Sequence, residues 1–310
     1  MSDTNYSLIN FDGASDVVIK LLDMIQNAVG WCIMPKKKAA DFEKGLSVYV
    51  ESIENDTTLN GLEKGVKIST ARKEMKQYIN QGKIIAYAAK DIKVDSKLDV
   101  DDDWLMYFFE YAKNISADDV QRIWAKILAE RCNGNTSMNR RLINVLSMLD
   151  HEVAQIFERL CGITFEFTCY YIKYAPLVFP VCIYKDYLSE LEQVDQEKAI
   201  DFLKYYLEFV NFDKKNHKFK ILEDIGLIEM RTEENIIENV LNIEPVIMLN
   251  GKEYKIEGDM GIKNLELGRI KYTELGESLC DIVNTSYVFP YFDILIERYF
   301  KSQGYILLEK

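Results

Sequence analysis

The chain is 310 residues long, carries a net charge of −12, and is 48% hydrophobic and 28% charged. A chain of this size can bury a core that needs no staples, and the acidic balance excludes nucleic-acid binding over the whole surface, because phosphates repel it. Six cysteines without a CxxC pair and only two histidines give neither a zinc pattern nor a disulfide framework, while five prolines and fifteen glycines favour long helices over a loop-rich sandwich.

The amino terminus lacks the basic n-region of a secretory signal, so a cytoplasmic protein is expected. Val17 to Val29 reads as an apolar helix leading through Gly30-Trp31 to Pro35 and then Lys36, Lys37 and Lys38. Lys20 and Asp23 make it too charged to span a bilayer. Two readings stand: a helix docked by its apolar face on the core, or one lying in a membrane interface with Trp31 at the boundary and the three lysines on anionic headgroups.

Ala39, Phe42, Leu46, Tyr49, Val50 and Ile53 then fall on one helical face. After a polar break at residues 55–60, a more basic helical stretch runs through Arg72, Met75, Tyr78, Ile79, Ile84 and Ala88. The pair reads as a long helical hairpin, either an oligomerisation or partner surface or an arm packed within the chain. The acidic cluster from Asp99 to Asp103 reads as a linker ending in a helix cap, since carboxylates favour a helix start.

Residues 103–161 carry the clearest punctuation. Asp103 is expected to cap a helix bearing Leu105, Phe108, Phe109 and Ala112. Ser116 and Asp119 are expected to form a capping box ahead of the stripe Val120, Ile123, Trp124, Ile127 and Leu128, which ends near Gly134. Leu142, Val145, Leu146 and Leu149 make a third helix, and Asp150 can cap a fourth with Val153, Ile156, Phe157 and Leu160.

Beyond Gly162 the composition turns β-branched and aromatic, and a domain boundary is placed there. Tyr187–Leu191 and Ala199–Val210 read as helices. A helix stopped by Gly226 feeds a strand at Leu227–Met230. Asn250-Gly251 between Val246–Leu249 and Tyr254–Ile256 signals a hairpin, Arg269–Thr273 a strand, and Thr273 the cap of a last-but-one helix. An aromatic helix from Tyr291 to Phe300 and a strand at Tyr305–Leu308 close the chain. This order is that of a winged-helix module with an enlarged wing. Lys214, Lys215, Lys218 and Lys220 would contact nucleic acid in such a module, but Asp213, Glu223, Asp224 and Glu229 offset their charge.

Catalytic signals are weak. Glu253-Tyr254-Lys255 matches the E-x-K pair of metal-dependent nucleases, a pattern frequent by chance, and His151 and His217 read as surface residues. There is no phosphate-cradling glycine loop, nucleophile elbow or HExxH. No catalytic residue, metal, cofactor or small-molecule substrate is expected.

Certain short motifs recur together: Gly13-Ala14-Ser15, Gly30-Trp31 and Pro35; Asp102-Asp103-Trp104 with Phe108-Phe109; Gln121 with Trp124-Ala125 and Leu128-Ala129-Glu130; Leu149-Asp150, Phe157 and Leu160-Cys161-Gly162; and Thr273, Gly276 and Leu279. In these the chain resembles an uncharacterised bacterial family of unknown function, over nearly its whole length. It departs from the family after Glu130, where Arg131-Cys132-Asn133-Gly134-Asn135 replaces a Gly/Pro-containing turn followed by Ser-x-Arg-Thr. Trp104, Phe108, Phe109, Gln121, Trp124, Leu128, Glu130 and Phe157 are the structural signature. Distantly related helical proteins with a similar tryptophan helix are linked to abortive infection, which implies a role in phage defence.

The expected protein is mainly α with a smaller α+β part: an amino-terminal helix and helical hairpin over 1–98, a central helical array over 99–162, and a winged-helix-like domain over 163–310. Its expected role is non-enzymatic interaction or regulation through a protein partner or a second copy. Nucleic-acid binding and membrane-surface association are the alternatives.

Overall fold

The computed structural model describes residues 11, 14–32, 39–169, 172–176, 217–249, 252–258, 264–283 and 292–310. Two compact units divide the chain, Met1–His151 and Glu152–Lys310. The helices read at residues 187–191 and 199–210, and the turn at Asn250-Gly251, lie outside the described residues.

The first unit is helical because its apolar residues recur at helical spacing. In α1 (Asp16–Val29), Val18, Leu21, Leu22 and Ile25 are buried at i, i+3, i+4 and i+7, and Gly30 ends the helix at φ 72°, its N–H bonded to Gln26 O. α2 (Ala39–Glu54) and α3 (Gly61–Ala88) form the expected hairpin. α3 starts at a full capping box: the Asn60 side chain accepts from the Leu62 and Glu63 amides, and Glu63 accepts from the Asn60 amide at 2.8 Å. Its buried positions begin only at Asn80, so the first two thirds of the helix lie outside the core.

α4 (Asp102–Ala112) packs against α1, α3 and α6 (Arg140–Ser147), while α5 (Asp118–Cys132) lies along α3. Two expected caps are corrected. Asp101, not Asp103, caps α4, accepting from the Trp104 amide at 2.7 Å, because the last extended residue is Asp101. The Ser116–Asp119 box does not form: α5 begins one residue later, behind Ala117, and Asp119 instead meets His151 Nδ1 at 2.6 Å.

The second unit begins with α7 (His151–Gly162, from Glu152 onward), which the sequence reading grouped with the central helices. A five-stranded antiparallel sheet follows, in the order β2 (Ile172–Pro176), β1 (Thr164–Cys169), β5 (Val246–Leu249), β6 (Lys252–Gly258), β9 (Tyr305–Glu309). Phe165, Phe167 and Ile247 are buried in it, and Phe300 of α11 (Phe292–Ser302) meets Phe165 edge-on at 5.9 Å.

Between α8 (His217–Asp224) and α10 (Glu274–Ile282) the strands pair in nested order. β3 (Ile228–Met230) pairs β8 (Ile270–Tyr272). Inside that pair, β4 (Ile236–Glu238) pairs β7 (Asn264–Glu266), and innermost lies β5 with β6. The short helix α9 (Val240–Ile243) stands between β4 and β5. Buried Asn235 ties the arm together, exchanging backbone bonds with Gly268 and Leu267 and donating its side-chain amide to Gly268 O at 2.8 Å. The protein is therefore mixed α and β.

Candidate functional site

The hairpin of the first unit carries several exposed apolar side chains. Ile53 of α2 is buried, with Leu46 and Val50 half-buried beside it, but Tyr49, expected on the same face, is 53% exposed. Val48 at 59%, Leu62 at 78% and Val66 at 58% point away from the hairpin seam. The turn is built locally: Asp56 accepts from the Thr58 amide and hydroxyl, which hold its carboxyl below the usual range, and Lys64 Nζ donates to Glu54 O at 2.7 Å, closing the end of α2. On α3, Lys73 and Lys76 share one face with Leu62 and Val66 at 3.6 residues per turn, with Arg72 at its edge.

The base of this hairpin is locked by buried polar groups. The Asn80 amide donates to Lys113 O at 3.0 Å, and the Gln121 amide donates to Ile115 O at 2.8 Å and to Asn80 Oδ1 at 3.3 Å. The Tyr87 hydroxyl donates to Asp118 at 2.6 Å, and this bond holds the Asp118 carboxyl below its ordinary value, with Arg122 adding to the effect.

The signature residues are core, not surface. Trp104 is buried, donates Nε1–H to Met138 O at 2.9 Å and stacks on Phe108 at 5.0 Å. Trp124 is 0% exposed beside Phe108, and Phe109, Gln121 and Leu128 are buried with it. Glu130 is half-buried and accepts from Asn135 at 3.4 Å, bracing the turn around Gly134. In the second unit, Phe157 is buried and meets Tyr272 edge-on at 6.0 Å.

Trp31, which the membrane-interface reading would set at the boundary, is buried: it stacks on Tyr78 at 5.3 Å and donates to Tyr78 O at 3.2 Å. A ring so engaged is not presented to lipid, which accords with the docked-helix reading of the two. Lys36, Lys37 and Lys38 lie outside the described residues, as do Lys214 and Lys215. No helix among the described residues is long and apolar enough to cross a membrane.

In the second unit, Lys218 and Lys220 sit on α8. Lys220 is clamped by Glu223 and Asp224, each at 2.9 Å, and these bonds raise its ammonium pKa. Glu223 also accepts from the Met230 amide at 2.9 Å, fixing α8 to β3. The junction with α10 is close: Thr273 accepts from the Gly276 amide as the expected cap and donates to Gly226 O at 2.7 Å, while Gly226 turns at φ 81°. A Cβ on Gly276 would stand 2.0 Å from Leu227 O. The sequence pattern marked Thr273 and Gly276 but not the close approach that explains the glycine.

The E-x-K residues serve the sheet. Glu253 pairs with Lys310 and Lys255 with Glu257, and no group among the described residues could hold a metal ion.

A mixed α and β chain with a buried tryptophan helix and a nested β arm defines the class of protein. The chain belongs to the DUF2806 family, proteins of unknown function, whose model matches residues 66–296. No curated protein and no solved structure matches the chain.

Proposed function

We propose that the protein is a non-enzymatic, cytoplasmic interaction protein of bacteria, acting in phage defence, that engages a protein partner or a second copy through the α2–α3 hairpin. The observation that carries this reading is the exposure of Val48, Tyr49, Leu62 and Val66 on a hairpin whose first two thirds of α3 stand outside the core. Apolar side chains gathered on one exposed element suit a contact surface. Affinity capture of the tagged full chain from its host, with and without nuclease, tests it. Leu62→Asp combined with Val66→Asp should lose nuclease-resistant partners while circular dichroism and the melting temperature stay unchanged. Undiminished capture by the folded double variant would refute the assignment.

The same proposal takes α8, β3, the nested arm, β8 and α10 as a winged-helix-like module, with the arm as an enlarged wing. Its support is the β3–β8 pairing between the two helices and the Thr273 bonds back to the Gly226 turn. Protein contact is favoured over DNA reading there because Glu223 and Asp224 already occupy Lys220. Nucleic-acid binding remains the second reading on account of Lys73 and Lys76 on one face of α3, with Arg72 at its edge. Duplex binding that falls with salt and disappears when these three become alanine would favour it.

A further inference from the structure

The two outer strands of the five-stranded sheet are finished differently. At the β2 edge, acids of α10 cover the strand: the Lys173 amide donates to Glu277 Oε1 at 3.2 Å, and Lys173 Nζ and the Tyr174 hydroxyl both meet Asp281. At the β9 edge no such cover exists among the described residues, and the register sets which backbone groups face outward. The Lys310 amide donates to Glu253 O at 2.9 Å, and opposite pairs in an antiparallel ladder alternate between bonded and non-bonded. Counting back along β9, Leu308 opposite Lys255 and Ile306 opposite Glu257 are bonded to β6, while Tyr305, Leu307 and Glu309 turn their N–H and C=O groups away from it. Beside this edge, Ile306 is 60% exposed and Leu308 39%. Native edge strands are commonly blunted by charge, proline or a bulge. Here the nearby charges are drawn back onto β6, Glu309 to Lys252 at 2.9 Å and Lys310 to Glu253.

We propose that β9 pairs with β9 of a second copy, antiparallel about a two-fold axis at Leu307, joining two sheets into one. The strand Tyr305-Ile306-Leu307-Leu308-Glu309 is self-complementary in that register. Leu307 exchanges both outward backbone bonds with Leu307 of the second copy, and Tyr305 does so with Glu309. The same register sets Ile306 opposite Leu308 in a non-bonded pair, where Cα atoms stand about 4.5 Å apart and side chains are closest. The two apolar residues that β9 exposes therefore cover their counterparts. Sliding the pair by two residues would set Leu308 against Gly304 or Ile306 against Lys310 and forfeit outer backbone bonds, which fixes the register. A two-fold contact uses up both β9 edges, and the covered β2 edge offers no further strand site, so assembly stops at a dimer. This surface belongs to the second unit and does not depend on the α2–α3 hairpin.

Sedimentation of the full chain over a dilution series tests the pairing, and a dimer is expected. Leu307→Pro should make it monomeric, because the N–H it removes faces outward and the bonds to β6 remain. Ile306→Lys combined with Leu308→Lys should do the same, since each lysine would oppose another across the two-fold. Both positions are exposed in the single copy, so circular dichroism and the melting temperature should hold, and this pair decides the matter if the proline variant unfolds. Leu62→Asp with Val66→Asp, which probes the hairpin, should leave the dimer intact. Mixing Ile306→Cys chains with Leu308→Cys chains reads the register: on oxidation the mixture should form a disulfide between positions 306 and 308 faster than either chain alone. A monomer at every concentration, a dimer that survives the folded lysine variant, one that dissociates with the hairpin variant instead, or crosslinking in another register would each overturn the pairing.

Discussion

Trp124 has no exposed surface and fills the centre of the first unit beside Phe108. Trp124→Ala should therefore cost about 3–5 kcal/mol, the range for emptying a core aromatic site, read as a lowered denaturant midpoint; an unshifted midpoint would refute the core placement. Gly276 is constrained by space rather than by backbone angle. Gly276→Ala should cost more than about 2 kcal/mol, because the added methyl meets a backbone oxygen that cannot rotate away, and thermal melts of the variant would check it. Tyr87 gives a pH-dependent case. The Asp118 carboxyl is depressed in the folded state by the Tyr87 hydroxyl, so the stability it adds is present above the ordinary carboxylate pKa and is lost as pH falls through the depressed value. Tyr87→Phe should thus cost about 1 kcal/mol at neutral pH and markedly less in acid, seen by comparing urea midpoints at the two pH values.

At the scale of elements, α3 owes its start to Asn60 and Glu63 rather than to burial, since its first turns contribute nothing to the core. Asn60→Ala should weaken the hairpin by about 1 kcal/mol, visible as faster amide exchange in the first turns of α3 with α5 unaffected. Much of this level was legible beforehand. Periodic apolar stripes marked α1 and α4 to α7, and the Gly226 and Gly134 stops and the Thr273 cap fell where their backbone chemistry required. Caps were less legible, because neighbouring acids at Asp101, Asp102 and Asp103 are equivalent until the chain fixes which one is extended. β4 and β7 were missed: unlike β3 after Gly226 and β8 before the Thr273 cap, neither three-residue strand adjoins a helix stop or cap that marks it. For Trp31 two readings stood open because an aromatic beside lysines has the composition of a membrane boundary, and only its stacking on Tyr78 distinguishes the two. The hairpin surface was foreseen as a helix pair, but not which of its apolar residues stay exposed.

For the whole molecule, a net charge of −12 sets the expectation that the intact chain shows no micromolar affinity for random duplex at physiological salt; fluorescence anisotropy would reveal it otherwise. The nested β arm has a further consequence, for the order in which the second unit is assembled. β5 and β6 are separated by only a short connection, so their pairing closes a small loop at little entropic cost. Once they meet, β4 and β7 are brought near one another, and then β3 and β8, so each outer pair inherits a gap already shortened by the one within it. Pairings that look distant in sequence become successive local steps, a route that lets a sheet of high contact order form quickly. Weakening substitutions near the tip of the arm should slow refolding, whereas those in β3 or β8 should chiefly hasten unfolding.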